Sequence, residues 1–280
     1  MKASLDAFLA CEAGYDEANT VLFGVPYDST TSFRPGARFG PKAIRSESFG
    51  LESYSPYQDR DLVDYKIFDG GDLELPFGDP VPVLAQIEET IGEILDDGKL
   101  PAMLGGEHLI TLGAVRAVKK RYPDLVILHF DAHADLRAEY LGSQLTHAGV
   151  MRQCYGLGAE IFQFGIRSGD REEFVWGRDH VTTRMFDFEG LQKLVKKLAG
   201  RKVYVSLDLD VLDPSVFPGT GTPEPGGVSF QALLDACLAL RGLDVVGFDV
   251  VELAPMLDAS GVSTAVAGKV VRELLLAFCK

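Results

Sequence analysis

The stretch Val126-Ile-Leu-His-Phe-Asp131-Ala-His133-Ala-Asp135 governs how the whole chain reads. Its nearly continuous apolar start fits a strand buried on both faces, as in a parallel sheet. The run then ends in a carboxylate, an imidazole and a second carboxylate at alternate positions. Another apolar run, Val203-Tyr-Val-Ser-Leu, ends similarly in Asp208 and Asp210. A third, Leu100-Pro-Ala-Met-Leu, leads into Gly105-Gly106-Glu107-His108. Three apolar runs that each end in His or Asp read as neighbouring strands delivering metal ligands to one edge of a sheet.

Working outward, further short apolar runs at 20–25, 65–69, 160–165 and 245–250 join those at 101–104, 125–130 and 202–207 as strand candidates. Helical patterns lie between them at 83–95, 110–121, 188–198, 229–240 and 264–278. Strands alternating with helices predict a mostly parallel sheet covered on both faces. Ligands of such sheets bind beyond the carboxyl ends of the strands, where each suspected group falls. Gly- and Pro-rich stretches at 32–41 and 218–227 read as loops over that edge.

The chain has 280 residues, 46% of them hydrophobic, which is enough for one large core and a single domain spanning 1–280. No apolar stretch approaches the roughly 18 residues of a membrane span. The early apolar run at 7–11 is too short for a signal peptide, so a cytoplasmic protein is expected. Cys11, Cys154, Cys237 and Cys279 are widely spaced and read as reduced thiols. A net charge of −14 excludes nucleic acid as a partner and favours a cationic substrate.

The candidate metal ligands are His108, Asp131, His133, Asp135, Asp208 and Asp210. Two imidazoles and four carboxylates, with no thiolate, suit Mn²⁺ and fit structural zinc poorly. Six such residues are too many for one ion, but carboxylates can bridge, so they can hold two ions about 3.5–4 Å apart. Without metal, so many clustered carboxylates would shift one another's pKa. A lone Asp-x-His-x-Asp is equally a solvated strand end. It is the coincidence of three clusters at strand ends that argues for a metal site.

These residues resemble the ureohydrolases, the arginase and agmatinase group, over nearly the whole chain. The similar pieces are 32–45, Asp69-Gly-Gly-Asp72, Gly105 to His108, 131–137, 206–227 and Asp249-Val-Val-Glu252-Leu-Ala-Pro255. The resemblance implies a three-layer α/β/α fold, two Mn²⁺ per subunit, and a homo-oligomer, trimer or hexamer. It makes Asp131 and Asp208 bridging carboxylates, with His108 and Asp135 completing one metal site and His133 and Asp210 the other. It also implies metal-hydroxide attack on a guanidinium carbon, with loss of an amine and release of urea. His147, in Leu145-Thr-His147-Ala, matches the family's acid/base or proton-shuttle histidine, whereas alone it reads as a helix-start or core residue. Glu252 matches the guanidinium-orienting carboxylate; the plain alternative is a capping Glu at a strand end.

The segment 136–147 lacks the Asn- and Ser-bearing pattern with which arginases read an α-carboxylate. Together with Thr222-Pro-Glu-Pro-Gly-Gly227 it looks like the agmatinase branch, making agmatine the expected substrate. Aminopropylagmatine, guanidinobutyrate, arginine and formiminoglutamate remain alternatives, as does a non-catalytic paralogue. A single-zinc deacetylase site would have no use for Asp135 and Asp210 together. Glu139 and Glu224 are candidates for the distal amine, although each also reads as a solvated loop carboxylate. Of the other polar residues, His129 reads as a packed histidine behind the ligands and His180 as an isolated surface residue. Glu107 reads as helix N-terminal or supporting, and Asp69 and Asp72 as parts of a tight turn. Arg34 and Arg38 read as partners of acids near the site or on the surface.

Overall fold

The computed structural model describes residues 6–279. The elements run β1 (Thr20–Val25), α1 (Gly40–Ser48), β2 (Tyr54–Ser55), β3 (Arg60–Asp61), β4 (Ile67–Asp72), α2 (Pro80–Asp96), β5 (Leu100–Gly105), α3 (Thr111–Arg121) and β6 (Val126–Phe130). They continue with α4 (Val150–Gly156), β7 (Glu160–Ile166), α5 (Arg171–His180), β8 (Thr182–Met185), α6 (Leu191–Lys197), β9 (Lys202–Asp208), α7 (Phe230–Ala239), β10 (Asp244–Val251) and α8 (Val262–Phe278). Eight strands form one sheet in the order β4-β1-β5-β10-β9-β6-β7-β8, and every pairing in it is parallel. β2 and β3 form a separate antiparallel pair.

Alternation along the strands divides the core in two. Val126, Leu128 and Phe130 of β6 and Val203, Val205 and Leu207 of β9 face a cluster shared with α1, α6, α7 and α8. Ile127 and Tyr204 face the other way, into a cluster shared with α2, α3 and α4, against which Phe174 and Trp176 of α5 pack. The fold is therefore a three-layer α/β/α sandwich. Its helices begin where side chains supply the missing acceptors. Asp79 caps α2 ahead of Pro80 by accepting from the Val81 amide at 2.9 Å, and Asp170 and Glu173 form a capping box on α5.

Each expected strand is present: the one at 20–25 keeps both ends, and the others have ends shifted by at most three residues. The edge strand β8 was not expected: Thr-Thr-Arg-Met carries no apolar run, and none of its four residues is fully buried. Three helices also went unread. α1 lies partly inside the stretch at 32–41 expected to be loop, and it starts at Gly40-Pro41, where proline in the first turn suits a helix entrance. α4 and α5 are short, and α5 is highly polar.

Topology sets the position of the site. The segments at His108, Asp131–Asp135, Asp208–Asp210 and Glu252 follow β5, β6, β9 and β10, four adjacent strands at the middle of the sheet. Their ends are in register, with Asp208 beside Val251 and Leu207 beside Phe130. Groups more than a hundred residues apart in the chain thus reach one edge. All four cysteines are buried and unpaired. Among the described residues no helix is long and apolar enough to cross a membrane.

Candidate metal centre and active site

The turn after β5 is built on Gly106. A Cβ there would lie 1.9 Å from the carbonyl oxygen of Tyr27, so only glycine permits the approach. Beyond it the chain delivers His108, 1% exposed, to the sheet edge. Ser206 Oγ donates its one proton to Asp249 Oδ1 at 2.8 Å and accepts from His108 Nε2 at 2.8 Å. Asp249 is itself fixed by Tyr204 Oη at 2.7 Å and Thr111 Oγ1 at 2.9 Å. With the His108 proton on Nε2, Nδ1 presents a lone pair.

That lone pair faces carboxylates. His108 Nδ1 lies 3.1 Å from Asp131 Oδ2, 3.3 Å from Asp208 Oδ2 and 3.4 Å from Asp135 Oδ2, and it has no hydrogen-bond partner. A buried ring nitrogen aimed at three buried acids calls for positive charge between them. Against the effect of burial, those acids raise the His108 pKa, so a proton on Nδ1 supplies it in the metal-free protein, and a cation fits the same place. His133 Nδ1 sits 2.9 Å from Asp210 Oδ2 and 3.5 Å from Asp131 Oδ1. The ligand atoms therefore form two sets that share Asp131. All six residues expected from the sequence converge here.

Backbone amides hold the carboxylates in place. Asp131 Oδ1 accepts from the His133 amide at 2.6 Å, Asp208 Oδ1 from the Asp210 amide at 2.8 Å, and Asp210 Oδ1 from the Ala132 amide at 3.1 Å. Burial, reinforced by neighbouring Asp131, raises the Asp135 pKa to about 7. Burial, reinforced by Asp210 and Asp131, raises Asp208 well above the usual carboxylate range. Both shifts describe a centre short of positive charge. Asp135 has φ 54° and Glu252 has φ 69°, left-handed conformations that cost energy for side-chain-bearing residues and cluster at functional sites.

The centre floors a cavity of about 250 Å³, which Glu252, His147, Ser32 and Thr222 also line. Glu252 is 7% exposed, and its Oε1 accepts from the His108 amide at 2.8 Å, so that one carboxylate oxygen is anchored to the ligand-bearing turn. His147 Nε2 lies 3.3 Å from Ser32 Oγ, and its amide donates to Thr30 Oγ1 at 3.2 Å. Burial pushes its pKa down to about 4, and the neighbouring imidazoles add to that effect. Glu107 secures the same loop by accepting from the Thr30 amide at 2.8 Å and from the hydroxyls of Thr30 and Thr31.

His129 belongs to one of the ligand-like groups by proximity, yet both its nitrogens are occupied by protein partners, in keeping with its reading as a packed histidine. Neither Glu139 nor Glu224 lines the cavity; Arg137, Tyr140, Asp170 and Glu173 do. Arg137 Nη1 pairs with Asp170 Oδ2 at 2.9 Å, its Nε lies 3.5 Å from Glu173 Oε2, and its guanidinium stacks 4.4 Å from the Tyr140 ring. Sequence reasoning singled out none of these four: Arg137 and Tyr140 lie in the loop after β6, which was read as a segment and not residue by residue, and Asp170 and Glu173 lie at the start of α5, which was not expected.

Three further expectations are corrected. His180 is not isolated: it stacks on Trp176 at 4.0 Å and meets Tyr155 edge-on at 5.2 Å. Asp69 and Asp72 do more than make a turn, since both lie in β4 and bind Arg45, with Arg45 Nε 2.8 Å from Asp69 Oδ2. Among the described residues Arg34 pairs with no acid; it donates to the carbonyls of Thr220 at 2.7 Å and Gly221 at 3.1 Å, tying down the Gly- and Pro-rich loop. Arg38 does pair with an acid, Asp28.

The family model described as the arginase family matches residues 18–277. Agmatinase of Bacillus subtilis (strain 168) is 46% identical over 280 residues, covering 98% of this chain and 96% of that protein. N(1)-aminopropylagmatine ureohydrolase of Thermococcus kodakarensis is 41% identical over 246 residues, 85% of this chain and 84% of that one. The crystal structure of agmatine ureohydrolase of Thermoplasma volcanium superposes with a TM-score of 0.89 at 38% identity, covering 98% of this chain and 94% of that chain.

Proposed function

The chain belongs to the arginase family and is an amidine-hydrolysing enzyme, a ureohydrolase; on that premise we propose that it converts agmatine to putrescine and urea at a centre of two Mn²⁺ ions. The observation that carries this reading is the pair of ligand sets sharing Asp131, with His108 Nδ1 aimed unpartnered into one of them. His108, Asp131, Asp135 and Asp208 would hold one ion, and Asp131, His133, Asp208 and Asp210 the other. Such a pair of bound cations supplies Lewis acidity and a hydroxide nucleophile at neutral pH.

The remaining steps belong to side chains of the cavity. Glu252, one oxygen fixed by the His108 amide, offers the other to a guanidinium, whose planar N–H groups suit a carboxylate partner. Substrate is thereby oriented over the ligand sets. His147, kept neutral by burial, has an unpaired Nδ1 and can take up a proton and pass it to the departing amine. Beyond the ligand sets and Glu252, the cavity lining adds two acids, Asp170 and the buried Glu173, against one basic side chain, Arg137. The net excess favours a distal ammonium over a carboxylate, which supports agmatine over arginine and guanidinobutyrate. The proposal includes a single domain, a cytoplasmic location and a homo-oligomeric assembly, trimer or hexamer, as the resemblance implies.

Urea release by manganese-loaded protein, measured in parallel on agmatine, arginine, aminopropylagmatine and guanidinobutyrate, tests the reading. Agmatine is expected to give the highest kcat/KM. A different leading substrate overturns the assignment of the amine, and no release from any of the four overturns the reaction.

A further inference from the structure

His129, on β6, is fully buried and absent from the walls of the cavity that holds the ligand sets. Its Nε2 lies 2.9 Å from Asp131 Oδ2, and its Nδ1 lies 3.0 Å from Gln163 Nε2 on the neighbouring strand β7. The orientation of the Gln163 amide follows from its other partners. Its Nε2 donates to the Ala134 carbonyl at 2.7 Å, which can only accept, and its Oε1 accepts from Thr183 Oγ1 on β8 at 3.0 Å. The second amide proton of Gln163 is therefore left for His129 Nδ1, which must accept it. The imidazole proton is consequently on Nε2 and is donated to Asp131.

We propose that Gln163 is a positioning residue for the metal centre: it fixes the Nε2–H tautomer of His129 and thereby the orientation of Asp131, the carboxylate common to both ligand sets. An alternative tautomer would turn a lone pair of His129 toward Asp131 Oδ2 and repel it. A cationic donor in the same place would hold the carboxylate but set a positive charge beside two divalent ions. A neutral imidazole locked by an amide avoids both. The order Thr183, Gln163, His129, Asp131 runs across three adjacent strands, so the register of the sheet edge is coupled to the ligand.

The inference rests on the reading of Asp131 as a metal ligand, and two measurements separate its failure from the failure of that reading. In the first, Mn²⁺ is titrated into metal-free wild-type protein and into Gln163→Met, which matches the side chain in size but cannot donate. The wild type is expected to bind two ions, and the variant to bind them about 10–100-fold more weakly, because Asp131 belongs to both ligand sets. At saturating Mn²⁺ the variant is expected to keep its KM and lose part of its kcat. Wild-type protein that binds no Mn²⁺ overturns the metal centre itself; equal affinities in the two proteins overturn only the role of Gln163. In the second, ¹⁵N-resolved imidazole spectra of wild-type metal-free protein report the His129 tautomer without any substitution. A protonated Nε2 with an unprotonated Nδ1 is expected, and a proton on Nδ1 overturns the proposal.

Discussion

At the residue scale the site depends on which atom of each side chain is already engaged. His108 spends Nε2 on Ser206 and presents Nδ1, whereas His147 keeps Nδ1 without a partner and sits under a pKa held at about 4. His147→Asn is expected to lower kcat about 10²–10⁴-fold with the Mn²⁺ content unchanged, checked by steady-state kinetics and metal analysis. The same residue has a signature in metal-free protein. Its folded pKa lies below the ordinary 6.5, so as pH falls from 6.5 toward 4 the unfolded chain takes up a proton that the folded chain refuses. Wild-type stability should therefore drop over that window, and melting curves of His147→Asn should show a shallower drop. The ligands were legible in the sequence because each interrupts or ends an apolar run. Gln163, Ser206 and Asp249 are equally buried and equally tied to the site, and they too are polar residues inside apolar strands. What the sequence could not supply was their partners, which lie on different strands.

At the element scale, short features decide how segments meet. α1 is fastened to β4 by Arg45, 3% exposed, between Asp69 and Asp72. Removing its charge leaves the buried Asp69 carboxylate without compensation, so Arg45→Met is expected to destabilise the fold by about 3–5 kcal/mol, measurable by urea denaturation. The turn after β5 is as demanding. Gly106→Ala would drive a methyl group into the Tyr27 carbonyl and displace the start of the His108 turn. That variant should lose Mn²⁺ affinity while retaining its far-ultraviolet circular dichroism, because the sheet behind the turn is unaltered. α1 and β8 escaped the sequence reading for a common reason: their stability comes from tertiary partners, a buried ion pair for one and a single neighbouring strand for the other. The long amphipathic elements α2 and α8 carry their own pattern and were read to within a few residues.

At the scale of the whole molecule, charge and topology act together. A net charge of −14 surrounds a cavity proposed to take a doubly cationic substrate. kcat/KM for agmatine is expected to fall as NaCl is raised, with most of the loss below about 0.15 M, where the Debye length is still longer than about 8 Å. A salt titration of initial rates checks it, and a flat profile would assign the charge to solubility alone. Alternation of strands and helices made the layered architecture readable from the sequence, but the strand order was not, because nothing local says which parallel strands become neighbours. That order has a consequence for the newborn protein. β10 is the last strand of the sheet to be synthesised, and it lies between β5 and β9. Before it is seated, His108 belongs to a half-sheet of β4, β1 and β5, while the other five ligands belong to the half formed by β9, β6, β7 and β8. A nascent chain of 210 residues thus contains every ligand and still has no centre. Metal capture therefore waits on the seating of β10, and an ion bound at full affinity reports that the two halves of the sheet have been joined.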